Sequence, residues 1–373
     1  MFSKKYFSTH HLIFVVLFSF PIPLSPWPCE NKLITNQHYD TDYKTLTLTT
    51  LYGTFEITEP ILLELLDSAP MQRLKEVRQL GVWNYAIKPD NFNRFDHSVG
   101  VFTLVRKFGG SLKEQIAALL HDVSHTVFSH VGAFFFVHDA KQMDQFQDDM
   151  HEWYLHASGL DAILARYNYT IEEIIPHDPT FKRLEQELPN LCADRIDYNI
   201  RGALWDELIT TQEAQNIIDA LCFADGTWYF KNLAAAKLLA EKSLIMTKNI
   251  WGSAENFVTG TFLAEALREA ARLEIITADD VHFSTDSAIW DKLCASNNAT
   301  IHDNVFHIEH CHDFFVLDEK EYTHCFIGKF RGLDPLIATE HGLQHLVELD
   351  VDYAVAYQTL KKEISKPLHV RIS

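Results

Sequence analysis

Asn93-Arg-Phe-Asp-His-Ser-Val-Gly100 and, shortly after, Ala118-Leu-Leu-His-Asp-Val-Ser-His125 decide how this chain folds. The first stretch carries an isolated His97 and the second an adjacent pair, His121-Asp122. Asp96 is suited to cap a helix that starts at His97, and Val101, Leu104, Val105 and Phe108 recur along it as an apolar stripe. Gly109-Gly110 ends that helix. Ser111-Leu-Lys-Glu114 has the form of a capping box for the next helix, which runs through Ile116, Leu119 and Leu120 to His121. Two helices joined by so tight a turn lie antiparallel. Each spans about 15 Å at ~1.5 Å rise per residue. His97, at the start of the first, therefore returns to face His121 and Asp122 at the end of the second. Imidazole nitrogen with carboxylate oxygen suits one divalent metal that still holds water.

The remaining organisation is read from periodicity and breakers. Leu46 to Ile57 alternates apolar residues with Thr and reads as one or two strands turning at Gly53. From Glu59 to Ala220 the pattern is helical, with connections near Pro70, Pro89, Gly109, Pro176 and Pro189. Leu233 to Ala271 reads as long helices, Ile308 to Phe330 as strands, and Leu343 to Ile364 as helix again. The expected fold class is mainly α, with a helical core over residues 45–220 and a smaller mixed α/β part over 221–373.

The chain has 373 residues, room for one large domain or two ordinary ones. A net charge of −19 argues against sequence-independent nucleic-acid binding. It leaves a phosphorylated small substrate open, because a metal and a few arginines make one pocket positive inside an acidic protein. Six cysteines at 29, 192, 222, 294, 311 and 325 show no CxxC spacing and read as reduced thiols, Cys192 as a small buried residue. Lys4 and Lys5 precede the apolar run Leu12 to Phe20 and a Pro-rich stretch to Pro28. Residues 1–28 thus have the form of a leader or signal peptide, and the run is too short for a stable membrane span.

Asp194, Tyr198 and Arg201 stand at i, i+4 and i+7, on one helical face with Asp197 adjacent. A carboxylate, a phenol and a guanidinium on one face suit a phosphorylated sugar; an ion pair from Arg201 to Asp197 or Asp194 explains the same spacing. Arg94 stands three residues before His97 as a phosphate clamp, and Arg73 and Arg78 lie on an amphipathic stretch, fit for acidic neighbours or an interface.

These segments resemble the HD superfamily of metal-dependent phosphohydrolases, closest to its dNTP triphosphohydrolase-like branch. The resemblance rests on Pro70–Gly81, on Arg94-Phe-Asp-His-Ser-Val-Gly100, on His121-Asp-Val-Ser-His-Thr-Val-Phe-Ser-His130 and on Asp194-Arg-Ile-Asp-Tyr-Asn-Ile-Arg201. Weaker likeness continues through Ile276–Asp280 and Arg331–Pro335. It implies an HD-domain core with His97, His121, Asp122 and Asp194 as ligands of one divalent metal, with Mn, Fe, Zn and Mg all open. It implies phosphate contact for Arg195 and His125, and general-acid chemistry for His130. It also implies a place in the site for His151, with Glu152 orienting a catalytic His or water. Tyr198 would lie over the sugar and Arg201 on charge. The implied reaction converts a dNTP to deoxynucleoside and triphosphate. A nucleoside monophosphatase or other phosphoester hydrolase is the alternative, and a nucleotide-sensing module without turnover is a third. Gly202 departs from the branch, which has an acid there for the deoxyribose. Nucleotide chemistry slightly favours the cytoplasm over export, and a homo-oligomer stays open.

Overall fold

The computed structural model describes residues 45–89, 92–137 and 140–372. The leader expected over residues 1–28, and Cys29, lie outside the described residues. Leu46–Thr50 (β1) and Gly53–Ile57 (β2) form an antiparallel hairpin with Leu46 opposite Ile57. Its two-residue turn is Leu51-Tyr52, and Gly53 (φ +129) opens β2. Helices Pro60–Asp67 (α1), Ala69–Arg73 (α2) and Trp83–Ala86 (α3) lead to Arg94–Lys107 (α4) and Leu112–Leu120 (α5). A 3₁₀ segment, Ser129–Phe135, precedes Ala140–Ala157 (α6) and Leu160–Arg166 (α7). Ala193–Trp205 (α8) and Thr211–Ala220 (α9) follow.

The rest is helical with small sheets. Leu221–Ala224 (β3) and Thr227–Phe230 (β4) are followed by Leu233–Met246 (α10), a π-helical turn Thr247–Trp251, and Ala254–Arg272 (α11). Then come Ala278–Phe283 (α12), Asp286–Cys294 (α13) and Ala299–Glu309 (α14). Short strands Phe315–Leu317 (β5), His324–Phe326 (β6), Leu336–Thr339 (β7) and Gly342–His345 (β8) precede Leu346–Leu349 (α15), Val351–Ile364 (α16) and Leu368–Ile372 (β9). The sheet orders are β3-β4-β7-β8 and β5-β9-β6, with β4 and β7 parallel. The protein is mainly α with a mixed α/β C-terminal part. No helix among the described residues is long and apolar enough to cross a membrane.

The pair α4–α5 differs from expectation at its caps. Asn93 caps α4, its side chain accepting from Asp96 N at 2.8 Å, so the helix starts at Arg94 and Asp96 sits inside its first turn. Gly109 (φ +76) ends α4, with Gly109 N bonded to Arg106 O and Gly110 N to Val105 O. Ser111 caps α5 through Glu114 N, but Glu114 does not return the bond. Its carboxylate instead accepts from Arg183 N at 2.8 Å and Arg183 Nη1 at 3.0 Å. The run expected as strands from Ile308 starts inside α14, because Ile301, Val305 and Ile308 are buried at helical spacing.

One apolar core continues from Tyr52 to Ile364 and crosses residue 220 without a break, through Ile217, Leu221, Trp228 and Leu239. A second core gathers α11, α13 and α14 around Val82, Val127 and Phe128. Its first C-terminal contributor is Ala254.

Glu114 is 2% exposed. Replacing it by Ala strands Arg183's backbone N–H and part of its guanidinium, which is itself partly solvated. Urea unfolding of Glu114→Ala should show a loss of about 2–3 kcal/mol.

Candidate metal centre

Three helix termini bring the site together. His97 lies in the first turns of α4, His121 follows the last residue of α5, and Asp194 stands in the first turn of α8. A carboxylate at a helix N-terminus is favoured by the helix dipole. His97 Nε2 lies 3.2 Å from His121 Nε2 and 2.9 Å from Asp194 Oδ1, which is 3.6 Å from His121 Nε2. His121 donates Nδ1–H to Ala118 O at 2.8 Å, and His97 donates Nδ1–H to Asp197 Oδ2 at 2.8 Å. Each neutral ring therefore turns a bare Nε2 lone pair toward the same point. Two lone pairs and a carboxylate at that spacing need a cation or a proton between them, and the residues fit a divalent metal. Asp122, the fourth expected ligand, stands beside this trio rather than within it, its Oδ2 3.6 Å from His97 Nε2 and its Oδ1 3.7 Å from His121 Nε2. Glu185 and Cys192 form a second group around Asp194; Cys192 is buried, with Sγ 3.8 Å from Glu185 Oε2.

Behind the ligands is a buried set of supports that the sequence reading largely missed. Asp197 holds His97, accepts from Tyr52 OH at 2.8 Å, and pairs with Arg201 Nε at 2.8 Å. Arg201 thus takes the ion-pair alternative. Gly100 permits this, because a Cβ there would overlap Asp197 Oδ1. The available signal was spacing: Gly100 follows His97, and Asp197 follows Asp194, each by one helical turn. Arg94 is fully buried; Nη1 binds Asp122 Oδ2 and Nε donates to Ser129 Oγ at 2.7 Å. The residue read as a phosphate clamp is thus engaged with Asp122 from within. Arg73 bridges to backbone oxygens of Val123, His125 and Ser284, which replaces the acidic neighbours or interface expected for it. Gln147 Nε2 binds His121 O at 2.8 Å, so α6 steadies the doublet.

The other expected site residues divide. His125 is buried with Nε2 3.2 Å from Asp122 Oδ1, and its ring centroid is 5.0 Å from that of exposed His130. His151 is buried, with Nδ1 3.0 Å from Ser124 Oγ and Nε2 without a partner. Glu152 is exposed, which fits the other reading of this position, a solvated helix face, rather than an orienting role. Neighbours on a helix diverge by about 100°, and the buried face belongs to His151. Tyr198 is buried, its ring 6.5 Å from His97 and 5.4 Å from Trp251. Arg195 is half-buried and donates to Asn190 O. Arg331 reaches the same neighbourhood from the C-terminal part, 5.8 Å from the Trp251 ring. A Cβ at Gly202 would meet Met246 Sδ at 3.0 Å, a tight contact with the end of a flexible side chain.

Charge follows the geometry. Burial lowers the His97 pKa, but hydrogen bonds to Asp194 and Asp197 outweigh it and raise it to about 10. Burial opposes ionisation of Asp122, yet Arg94 and the neighbouring histidines hold it well below the usual carboxylate range. Burial, then the Arg94 charge, lowers His125 to about 4. Burial, then His121, does the same to His151. Protein crowded about His130, then His125, Arg94 and Arg331, keeps it well below the usual imidazole range although the ring retains an exposed face.

A model of the HD domain matches residues 94–198. The metal-dependent phosphohydrolase Cns2 of Cordyceps militaris is 31% identical over 306 residues, 76% of this chain and 82% of that protein. This chain belongs to the HD superfamily of metal-dependent phosphohydrolases. The uncharacterised Bacillus subtilis protein YdhJ is 33% identical over 294 residues, 77% of this chain and 86% of its own length. The deoxynucleoside triphosphate triphosphohydrolase SAMHD1 of Danio rerio is 28% identical over 143 residues, 33% of this chain and 23% of that protein.

Two outcomes follow for this HD protein. Asp197→Asn weakens the acceptor for His97 Nδ1–H, so metal affinity should fall by about 10–100-fold in a competition titration with a chelator. In the metal-free protein His97 has a folded pKa above its ordinary value. Its stabilisation is complete below about pH 6.5 and lost as pH rises through about 10. Denaturant midpoints of metal-free protein should decline over that window.

Proposed function

We propose that this chain hydrolyses the phosphate ester of a nucleotide, with His97, His121, Asp122 and Asp194 holding one divalent metal. The convergence of the His97 and His121 Nε2 atoms on Asp194 Oδ1 supports the metal role. When bound, the metal supplies a Lewis acid for the phosphoryl group and a water of lowered pKa. The rest of the work belongs to the chain. Arg94 keeps Asp122 ionised and fixed beside the two histidines that would hold the ion. Tyr198 and Trp251 offer aromatic surface for a sugar or base. His130 gives a proton to the departing oxygen. Resting His130 is neutral near pH 7, and the approach of a phosphate dianion restores its proton.

A single phosphate is the substrate group we favour. Of the arginines a polyphosphate would need, Arg94 is committed to Asp122 and Ser129, and Arg201 to Asp197. Arg195 and Arg331 remain near the site. Gly202 also stands where the dNTP triphosphohydrolase-like branch has the acid that would hold a deoxyribose. The second reading, a dNTP cleaved to deoxynucleoside and triphosphate, draws support from the partial likeness to SAMHD1. A nucleotide-sensing module without turnover is the third reading, and the same assay addresses it.

The test is a manganese-loaded assay on nucleoside monophosphates and dNTPs with chromatography of all products. Nucleoside plus orthophosphate from monophosphates is expected. Triphosphate released from dNTPs moves the protein to the second reading, and no turnover with metal bound moves it to the sensing role. His130→Ala should lower kcat by about 10²–10⁴-fold with metal content unchanged. The decline of kcat with rising pH should lie at higher pH than that of kcat/KM, because only the complex carries the phosphate charge.

A further inference from the structure

The turn that presents His130 is held from a distant part of the chain. Phe128 (φ 55) and Ser129 (φ 56) both adopt the left-handed conformation, which residues with a Cβ disfavour. Asp286, the first residue of α13, lies beneath them and is 1% exposed. Its Oδ1 accepts from Phe128 N at 2.6 Å and its Oδ2 from Arg78 N at 2.9 Å. Ser129 Oγ closes the clasp, donating to Arg78 O at 2.5 Å and accepting from Arg94 Nε at 2.7 Å. Gly81 (φ +56) seats it tightly, since a Cβ there would lie 2.5 Å from Phe128 O. Both carboxylate oxygens are used as acceptors of backbone N–H groups. An amide in the same place would turn an NH₂ against one of them.

We propose that Asp286 is a positioning residue for proton transfer: it clamps the Phe128–Ser129 turn so that His130 meets the departing oxygen. It acts through the backbone and touches neither metal ligand nor substrate. The inference rests on the reading of His130 as the acid. The clasp also ties Ser129 to Arg94, and through Arg94 to Asp122. A defect passed along that second route would weaken the ligand set and slow every substrate alike. A defect in His130 placement would slow only substrates whose leaving group needs a proton.

The experiment compares metal-loaded wild-type protein with Asp286→Asn on two substrates. One is a nucleoside 5′-monophosphate, whose alkoxide must be protonated to leave. The other is p-nitrophenyl phosphate, whose phenolate leaves without a proton. The expected result is a kcat loss of about 10–100-fold on the nucleotide, with under about threefold on the aryl ester, full metal content and little change in KM. Ser129→Ala opens the same clasp with Asp286 in place and should show the same split, which covers the case in which Asp286→Asn does not fold. Because it also removes the acceptor of the buried Arg94 Nε, its metal content is measured beside its rates, and any loss passed through Arg94 to Asp122 appears equally on both substrates. Thr285→Ala, which removes the N-cap of α13, should cost stability without any split. His130→Ala separates the two claims. A split there that is missing from Asp286→Asn and Ser129→Ala overturns the clasp. Equal losses on both substrates in His130→Ala overturn the acid assignment, and this inference with it.

Discussion

The close approach of α4 and α8 at Gly100 governs this site. Only a residue without a Cβ lets Asp197 reach across to His97 Nδ1 while Tyr52 and Arg201 hold its oxygens. That bond fixes the imidazole tautomer and aims Nε2 at His121 and Asp194. The hairpin β1–β2 enters the account through Tyr52, which makes an apparently peripheral element part of the site's support. A buried carboxylate with this many partners is costly to disturb, because removing one leaves the others unsatisfied.

Electrostatics sorts the histidines into two sets. His97 and His121, beside Asp194 and Asp122, are pushed toward the charged form. Burial pushes His125, His130 and His151 toward neutrality, and Arg94 or a neighbouring imidazole adds to it. Under the proposed metal role the first set would compete with protons for a cation, while the second is held neutral beside it. The same residue type is thus sorted by burial and by the balance of neighbouring carboxylate, guanidinium and imidazole charge.

Much of this arrangement was legible in the residue order. The helical stripe after His97, the Gly109-Gly110 stop and the Ser111 cap suffice to fold α4 against α5 and bring His97 to His121. Supports contributed from far along the chain were not legible. Asp286 reaches Phe128 across 158 residues, and Arg183 takes Glu114 away from its local capping role. Local pattern carries no information about such partners. On α6 His151 is buried and Glu152 exposed, an assignment of faces that the sequence motif alone did not give. Strands β5 and β6 fall inside the run expected as strands, Ile308 to Phe330, whereas β3, β4, β7, β8 and β9 escaped because they are four or five residues long, too short for alternation to register.

The central claim is that His97, His121 and Asp194 share one ion. Anomalous diffraction from crystals of the metal-loaded protein tests it most directly. One peak is expected within about 2.0–2.2 Å of both Nε2 atoms and of an Asp194 oxygen. A peak seated on Glu185 and Cys192 instead, or none between the two imidazoles, would contradict it.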